Sequence, residues 1–156
     1  MWRNVVVWSI ATLALSYEQA SDAAQNAADT GLAQRLAQAD VVISGVVSAV
    51  ARSAPQRPGF RSEHDPDWWD ATVEVESVEK GNVSTKTIAV SFANSVDVAW
   101  YRSPKLKKGD RGVWLLHSRN ISARPVPRLV VVDPLDWQPP SELPRIRALL
   151  QESTKK

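Results

Sequence analysis

The chain has 156 residues, 44% of them hydrophobic and 23% charged, which fits one globular domain and excludes a second full-sized domain, a membrane bundle or a disordered chain. Cysteine is absent, so disulfide frameworks, thiolate zinc sites and cysteine nucleophiles are excluded. The formal charge of +2 is too balanced for a general binder of nucleic acid or of anionic membranes.

The N-terminal residues have the pattern of a signal peptide. Arg3 precedes a run of 11 mostly apolar residues from Val5 to Leu15. A spanning helix needs roughly 20 residues and a signal-peptide core roughly 7 to 15, so we predict a signal peptide over residues 1–23 and no stable membrane span. The mature protein would then be secreted or periplasmic. A buried N-terminal strand or helix is the alternative, and an uncleaved chain would be cytoplasmic.

Residues 24–38 are predicted to form a linker and a short helix. Thr30 can cap this helix, in which Leu36 lies on the apolar face. The folded domain is predicted to span residues 39–152, with residues 153–156 as a disordered tail.

Five stretches of the domain have the residue pattern of β-strands. They are residues 41–50, 70–79, 87–92, 112–117 and 129–132. Gly45, at the centre of the first stretch, predicts a bend or the close approach of another backbone. The fourth stretch is apolar on both faces, which is typical of a central or barrel-closing strand and places Trp114 in the core.

The second stretch alternates cleanly, so its two faces can be assigned. Ala71, Val73 and Val75 are predicted to be buried, and Thr72, Glu74 and Glu76 to be exposed. The same parity places Trp69 in the core and Trp68 on the outer face, where it could stack on a sugar or anchor a partner.

After Pro139 and Pro140, Ser141 can cap a C-terminal helix with an apolar stripe. The stripe consists of Leu143, Ile146, Leu149 and Leu150. A short isolated helix is marginal in water, so we predict that this one docks on the strands. The fold class predicted is mainly β, a small five-stranded OB-like antiparallel barrel with a short N-terminal helix and a C-terminal helix.

Three segments together resemble the OB-fold domains of the tissue-inhibitor-of-metalloproteinase and netrin type, including small bacterial exported proteins. They read ADVVISGVVSAV, ATVEVESVEKGN and SPKLKKGDRGVWLLH, and the resemblance covers Ala39 to about Val132. It implies a barrel that binds other macromolecules, usually proteins, outside the cytoplasm. The animal inhibitors chelate zinc through an N-terminal cysteine, which this chain lacks, so inhibition by that mechanism is unsupported.

A basic segment after the third strand is the first candidate binding surface. Its five cations, set against Asp110, give a local charge of +4, and Trp100 and Tyr101 come directly before it. The cations are Arg102, Lys105, Lys107, Lys108 and Arg111. Such a segment could meet phosphate, an acidic partner or the acidic strand of a second copy, and its alternative is a solvated hairpin. With Trp68, these residues are the predicted ligand-binding or partner-binding set.

The acidic stretch Glu63–Asp70 is the second candidate. One histidine among carboxylates could hold Ca²⁺ or a transition metal, but the spacing matches no loop of fixed geometry, which favours a solvated acidic loop. We therefore expect no metal and no cofactor.

The sequence does not favour an enzyme. Its histidines are His64 and His117, and G-x-S-x-G, H-E-x-x-H and a phosphate-cradling glycine loop are all absent. His117 is expected to be a half-buried residue at the barrel rim. The function predicted is that of an exported, non-catalytic OB-type binding module for protein or cell-envelope ligands. The alternative is an OB barrel for nucleic acid or an anionic polysaccharide, with nucleic acid less favoured because of the low net charge.

Overall fold

The computed structural model describes residues 27–53, 64–121 and 127–154. The chain divides into two compact units, Met1–Gln34 and Arg35–Lys156. Helix α1 occupies residues 27–38, so the short N-terminal helix is confirmed, although Thr30 lies within it rather than at its cap. The predicted signal peptide lies outside the described residues. Within the described ranges, no helix is long and apolar enough to cross a membrane.

Five strands close into a β-barrel, which confirms the predicted fold class. They are β1 (Val41–Arg52), β2 (Trp68–Lys80), β3 (Thr87–Ala93), β4 (Arg111–Arg119) and β5 (Arg128–Val131). The strands follow the order β1-β2-β3-β5-β4, and β4 pairs back to β1. Neighbouring strands are antiparallel except β3 and β5, which are parallel. This closed barrel is compatible with an OB-like fold.

A two-residue strand that the sequence did not predict completes the sheet. Strand β6 (Trp137–Gln138) pairs with β4, Trp137 lying opposite Trp114 and Gln138 opposite Val113. A 3-10 turn, Pro134–Asp136, leads into it and is capped by Asp133.

The barrel interior is filled by the inward faces of all five strands. Its largest members are Trp114, Phe92, Ile43 and Leu116, each at most 1% exposed. Trp114 is buried as predicted, and its indole Nε1 has no hydrogen-bond partner within the described ranges.

The predicted register of β2 is confirmed. Ala71 and Val73 are fully buried and Val75 is half-buried, whereas the three residues between and after them are exposed. The exposed residues are Thr72, Glu74 and Glu76. Alternation predicts this strand well because one of its faces meets the barrel core and the other meets water.

Gly45 lies at a close approach between the backbones of β1 and β2. A Cβ at this position would overlap the carbonyl oxygen of Glu74 and lie 3.0 Å from Val73 Cγ1. The β1–β2 register also shifts between Ser44 and Gly45. The glycine therefore permits the close backbone approach that the sequence predicted.

The C-terminal helix α2 (Leu143–Thr154) is docked, as predicted. It follows a 3-10 turn (Pro140–Glu142), and Ile146 on its apolar stripe is fully buried. Arg147 donates hydrogen bonds of 2.8 and 2.9 Å to the two carboxylate oxygens of Glu79 at the end of β2. These bonds from Arg147 hold the pKa of Glu79 below its ordinary value, with help from Ser77, although burial of the carboxyl opposes them.

The Glu79–Arg147 pair makes part of the domain's stability depend on pH. Because the pKa of Glu79 is lower in the folded chain than in the unfolded chain, its contribution is present above a pH of about 4.5 and is lost as the pH falls through the folded value. Urea denaturation of the wild type and of Glu79→Gln should therefore show the largest stability difference near neutral pH and a smaller one at pH of about 3. Glu152→Gln, an exposed acid on α2, is the control; a difference that grew on acidification would contradict the assignment.

Candidate functional site

The connection between β3 and β4, residues 94–110, carries most of the predicted binding residues and is called here the β3–β4 segment. Its first half is a tight turn centred on Asp97. The Asp97 side chain accepts a 2.8 Å hydrogen bond from the Ala99 amide, and its carbonyl oxygen accepts from the amides of Trp100 and Tyr101. The Ala99 amide, and after it the His64 imidazole 3.0 Å away, hold the pKa of Asp97 below its ordinary range. The turn is therefore ordered by its own hydrogen bonds.

Trp100 fixes this turn to the barrel. Its indole nitrogen donates a 2.9 Å hydrogen bond to the carbonyl oxygen of His64, and its ring packs edge-on against Trp68 with ring centroids 5.8 Å apart. Trp68 lies with Ala93 and Val130 in a small cluster separate from the barrel core.

The expectation that Trp68 is exposed is therefore wrong. The alternation along β2 correctly predicts that Trp68 points away from the barrel core. Trp69 packs against that core, whereas Trp68 belongs to the separate cluster. However, Trp68 is only 9% exposed because Trp100, 32 residues later in the chain, packs on it. Partner binding through Trp68 stays a prediction, and it would require Trp100 to move aside.

The turn leaves three apolar side chains in solvent. Val96 is 94% exposed, Val98 75% and Tyr101 61%. The term apolar tip refers to these three residues. Three large apolar side chains exposed within six residues of one ordered turn make this turn a candidate interaction surface.

The five predicted cations divide into two groups. Lys105 donates hydrogen bonds to the carbonyl oxygens of Ala93 and Trp100, and burial lowers the pKa of its ammonium. Arg111 forms an ion pair with Glu76 on β2.

The remaining three cations are available to a ligand. Arg102, Lys107 and Lys108 are exposed and form no ion pair or side-chain hydrogen bond with the part of the chain that the structure describes. Their positive charge is therefore not neutralised locally, and it lies on the same segment as the apolar tip.

A cleft of about 320 Å³ lies on the second half of the β3–β4 segment. It is lined by Pro104, Lys105, Leu106, Lys107, Asp110 and Trp137. Trp137 was not among the predicted site residues, because strand β6 is too short to leave a pattern in the sequence. The residue is 37% exposed, and it lines the cleft together with two of the predicted lysines.

A buried charge cluster links Arg35, near the end of helix α1, to the barrel. Asp136 is fully buried, and one of its carboxylate oxygens contacts Arg35 and lies 3.1 Å from His117 Nε2. The other oxygen accepts hydrogen bonds of 2.8 and 2.9 Å from the amides of Val132 and Asp133. His117 is 6% exposed, more buried than the rim position predicted. Both carboxylate oxygens of Asp136 are therefore engaged within the fold.

Residues of the acidic stretch form hydrogen bonds and ion pairs with neighbouring side chains. His64 pairs with Asp97, Asp67 accepts from Arg52, and Asp70 accepts from Arg128 at 2.8 and 3.0 Å. In residues 27–53, 64–121 and 127–154, no three His, Asp or Glu side chains gather as metal ligands would. Most of the preceding connection, residues 54–63, lies outside the description.

No protein-family model matches this chain, and no curated protein matches it in sequence. The apolar tip, its adjoining cations and the cleft are therefore interpreted from their own geometry and chemistry.

Proposed function

We propose that the chain is an exported, non-catalytic OB-type binding module whose ligands are proteins or components of the cell envelope. The observation that carries this proposal is the apolar tip. Exposure of three large apolar side chains is unfavourable for a hairpin that contacts only solvent, and it is explained if the tip contacts a partner. The resemblance of Ala39–Val132 to barrels of the metalloproteinase-inhibitor and netrin type supports the same class of function.

The charge of the segment adds specificity to this surface. Arg102, Lys107 and Lys108 would increase the rate of encounter with an acidic partner, while the tip would supply the contact area. The buried acid–base cluster around Asp136 already uses its hydrogen-bonding groups within the fold, which supports a role without catalysis.

Co-sedimentation with an envelope fraction from the source cells tests the tip. Replacing Val96, Val98 and Tyr101 together by serine should lower the bound fraction at least about tenfold, because the change removes a tyrosine, a residue type enriched among binding hot spots, and the apolar contact area beside it. The melting temperature should stay close to the wild-type value, since the three side chains are exposed. Val78→Ser, an exposed valine on β2, is the matched control. Wild-type binding by the triple variant would refute the proposal.

The alternative function, binding of nucleic acid or an anionic polysaccharide, rests on the three unpaired cations. Three phosphate contacts should weaken binding of a single-stranded oligonucleotide roughly twentyfold between 50 and 200 mM salt through counterion release. An apolar protein interface should change little over the same range. A steep salt dependence, together with full binding by the triple serine variant, would establish the alternative.

Export is tested separately by cell fractionation and N-terminal sequencing of the mature chain. Cleavage near residue 23 and recovery outside the cytoplasm are expected. A cytoplasmic chain that retains Arg3 would overturn the proposed location and the envelope ligand with it.

A further inference from the structure

We propose that the cleft beside Trp137 is a binding site for a sugar ring that carries a carboxylate. The inference rests on the proposed function, because it names the chemistry of a cell-envelope ligand for the second half of the same β3–β4 segment. It uses residues other than the apolar tip, so failure of binding at the cleft and failure of binding at the tip are distinguishable.

Trp137 supplies the aromatic surface of the cleft, and the fold fixes its position. Strand β6 pairs with β4, and the indole Nε1 lies where a Cβ of Gly112 would be 2.5 Å away. The carbonyl oxygen of Gln138 would be 2.6 Å from the same Cβ. Glycine at 112 therefore lets the indole lie directly against the β4 backbone. An aromatic ring held in this way can stack on the C–H face of a pyranose without losing much side-chain entropy.

Asp110 supplies acceptors for hydroxyl groups. One of its carboxylate oxygens accepts a 2.7 Å hydrogen bond from the Lys107 amide. The other oxygen has no hydrogen-bond partner within the described ranges. A sugar hydroxyl in the cleft could donate to that free oxygen.

Lys107 supplies the charge that selects an acidic sugar. Its side chain is exposed and unpaired, and the residue lines the cleft, whereas the ammonium of neighbouring Lys105 is committed to the carbonyl oxygens of Ala93 and Trp100. A carboxylate on the ligand would form a charge-assisted hydrogen bond with the Lys107 ammonium. A ligand with several phosphates is disfavoured, because the Asp110 carboxylate would repel it.

The floor of the cleft is preorganised by the barrel. Leu106 is 5% exposed and belongs to the barrel core. The turn at Asp110 is bonded to β1, since the Val47 amide donates to the Asp110 carbonyl oxygen and the Gly109 amide donates to the Val47 carbonyl oxygen, both at 2.8 Å. A volume of about 320 Å³ lies at the small end of ligand pockets, which fits one or two sugar rings.

The probe for the test is D-glucuronic acid, followed by two-dimensional ¹H–¹⁵N NMR. The indole cross-peak of Trp137, assigned by its loss in Trp137→Phe, should shift saturably with a Kd of about 1 mM, as expected for a ligand of this size. Methyl glucoside, which lacks the carboxylate, should bind about tenfold more weakly. The triple serine variant of the apolar tip should bind glucuronic acid like the wild type.

Paired lysine variants test the selectivity. Lys107→Gln should weaken glucuronic acid about tenfold and leave methyl glucoside unchanged. Lys86→Gln makes the same charge change at an exposed lysine just before β3, outside the cleft lining, and should alter the binding of neither ligand. The proposal is overturned if the indole does not shift, if inorganic phosphate shifts it as strongly as glucuronic acid, or if the two lysine variants behave alike.

Discussion

Replacing Asp136 by alanine should lower the free energy of unfolding by about 3–5 kcal/mol, the range measured when one partner of a buried ion pair is removed. The Asp136 carboxylate is fully buried and contacts Arg35 and His117 through one oxygen and two backbone amides through the other. Without it, the guanidinium of Arg35, whose side chain is only 17% exposed, and two part-buried backbone amides lose their acceptor together. The loss is therefore larger than that of one hydrogen bond.

Urea denaturation with circular dichroism measures this effect, and the melting temperature should fall by roughly 10–20 °C. Asp133→Ala is the matched control, because Asp133 belongs to the same turn and its side chain acts there as the cap, accepting a hydrogen bond from the Leu135 amide. A cap of this kind contributes about 0.5–2 kcal/mol. Equal losses for the two variants would show that Asp136 acts only as a turn residue.

This charge cluster marks the limit of what the sequence could predict about the fold. Arg35 and Asp136 are 101 residues apart, and Arg35 and His117 are 82 apart, so no local spacing connects them. Strand β2 was predictable because alternation is a local consequence of one buried face and one solvated face. The close backbone approach at Gly45 was also predictable from local sequence, because a glycine inside a run of β-branched residues indicates such an approach.

Only the positive charge of the candidate site was predictable from the sequence. The run of cations identified the β3–β4 segment, but contacts between strands decide which cations remain free. Arg111 faces Glu76, 35 residues earlier in the chain, and forms an ion pair with it. Trp68 is covered by Trp100, and Trp137 reaches the cleft through a two-residue strand. These contacts join residues that are distant in the sequence and form only in the folded barrel, so they cannot be predicted from composition or periodicity.

Val73→Asp should have the second large effect, because it places an unpaired carboxylate inside the barrel. Val73 is fully buried in the core and lies opposite Val47 on β1 and Ile88 on β3. An aspartate there finds no partner among those neighbours and must either remain charged in an apolar interior or take up a proton. We expect a loss of about 4 kcal/mol or more, or no folded protein.

Two further variants test the same register of β2 if Val73→Asp does not fold. Val73→Ala, which only removes volume, should fold and lose about 2 kcal/mol, as measured by urea denaturation. Glu74→Lys reverses a charge on the adjacent exposed position and should cost less than about 1 kcal/mol. A slip of one residue in β2 would exchange the two environments, burying Glu74 and exposing Val73. Similar losses for Val73→Ala and Glu74→Lys would therefore contradict the register on which the barrel core depends.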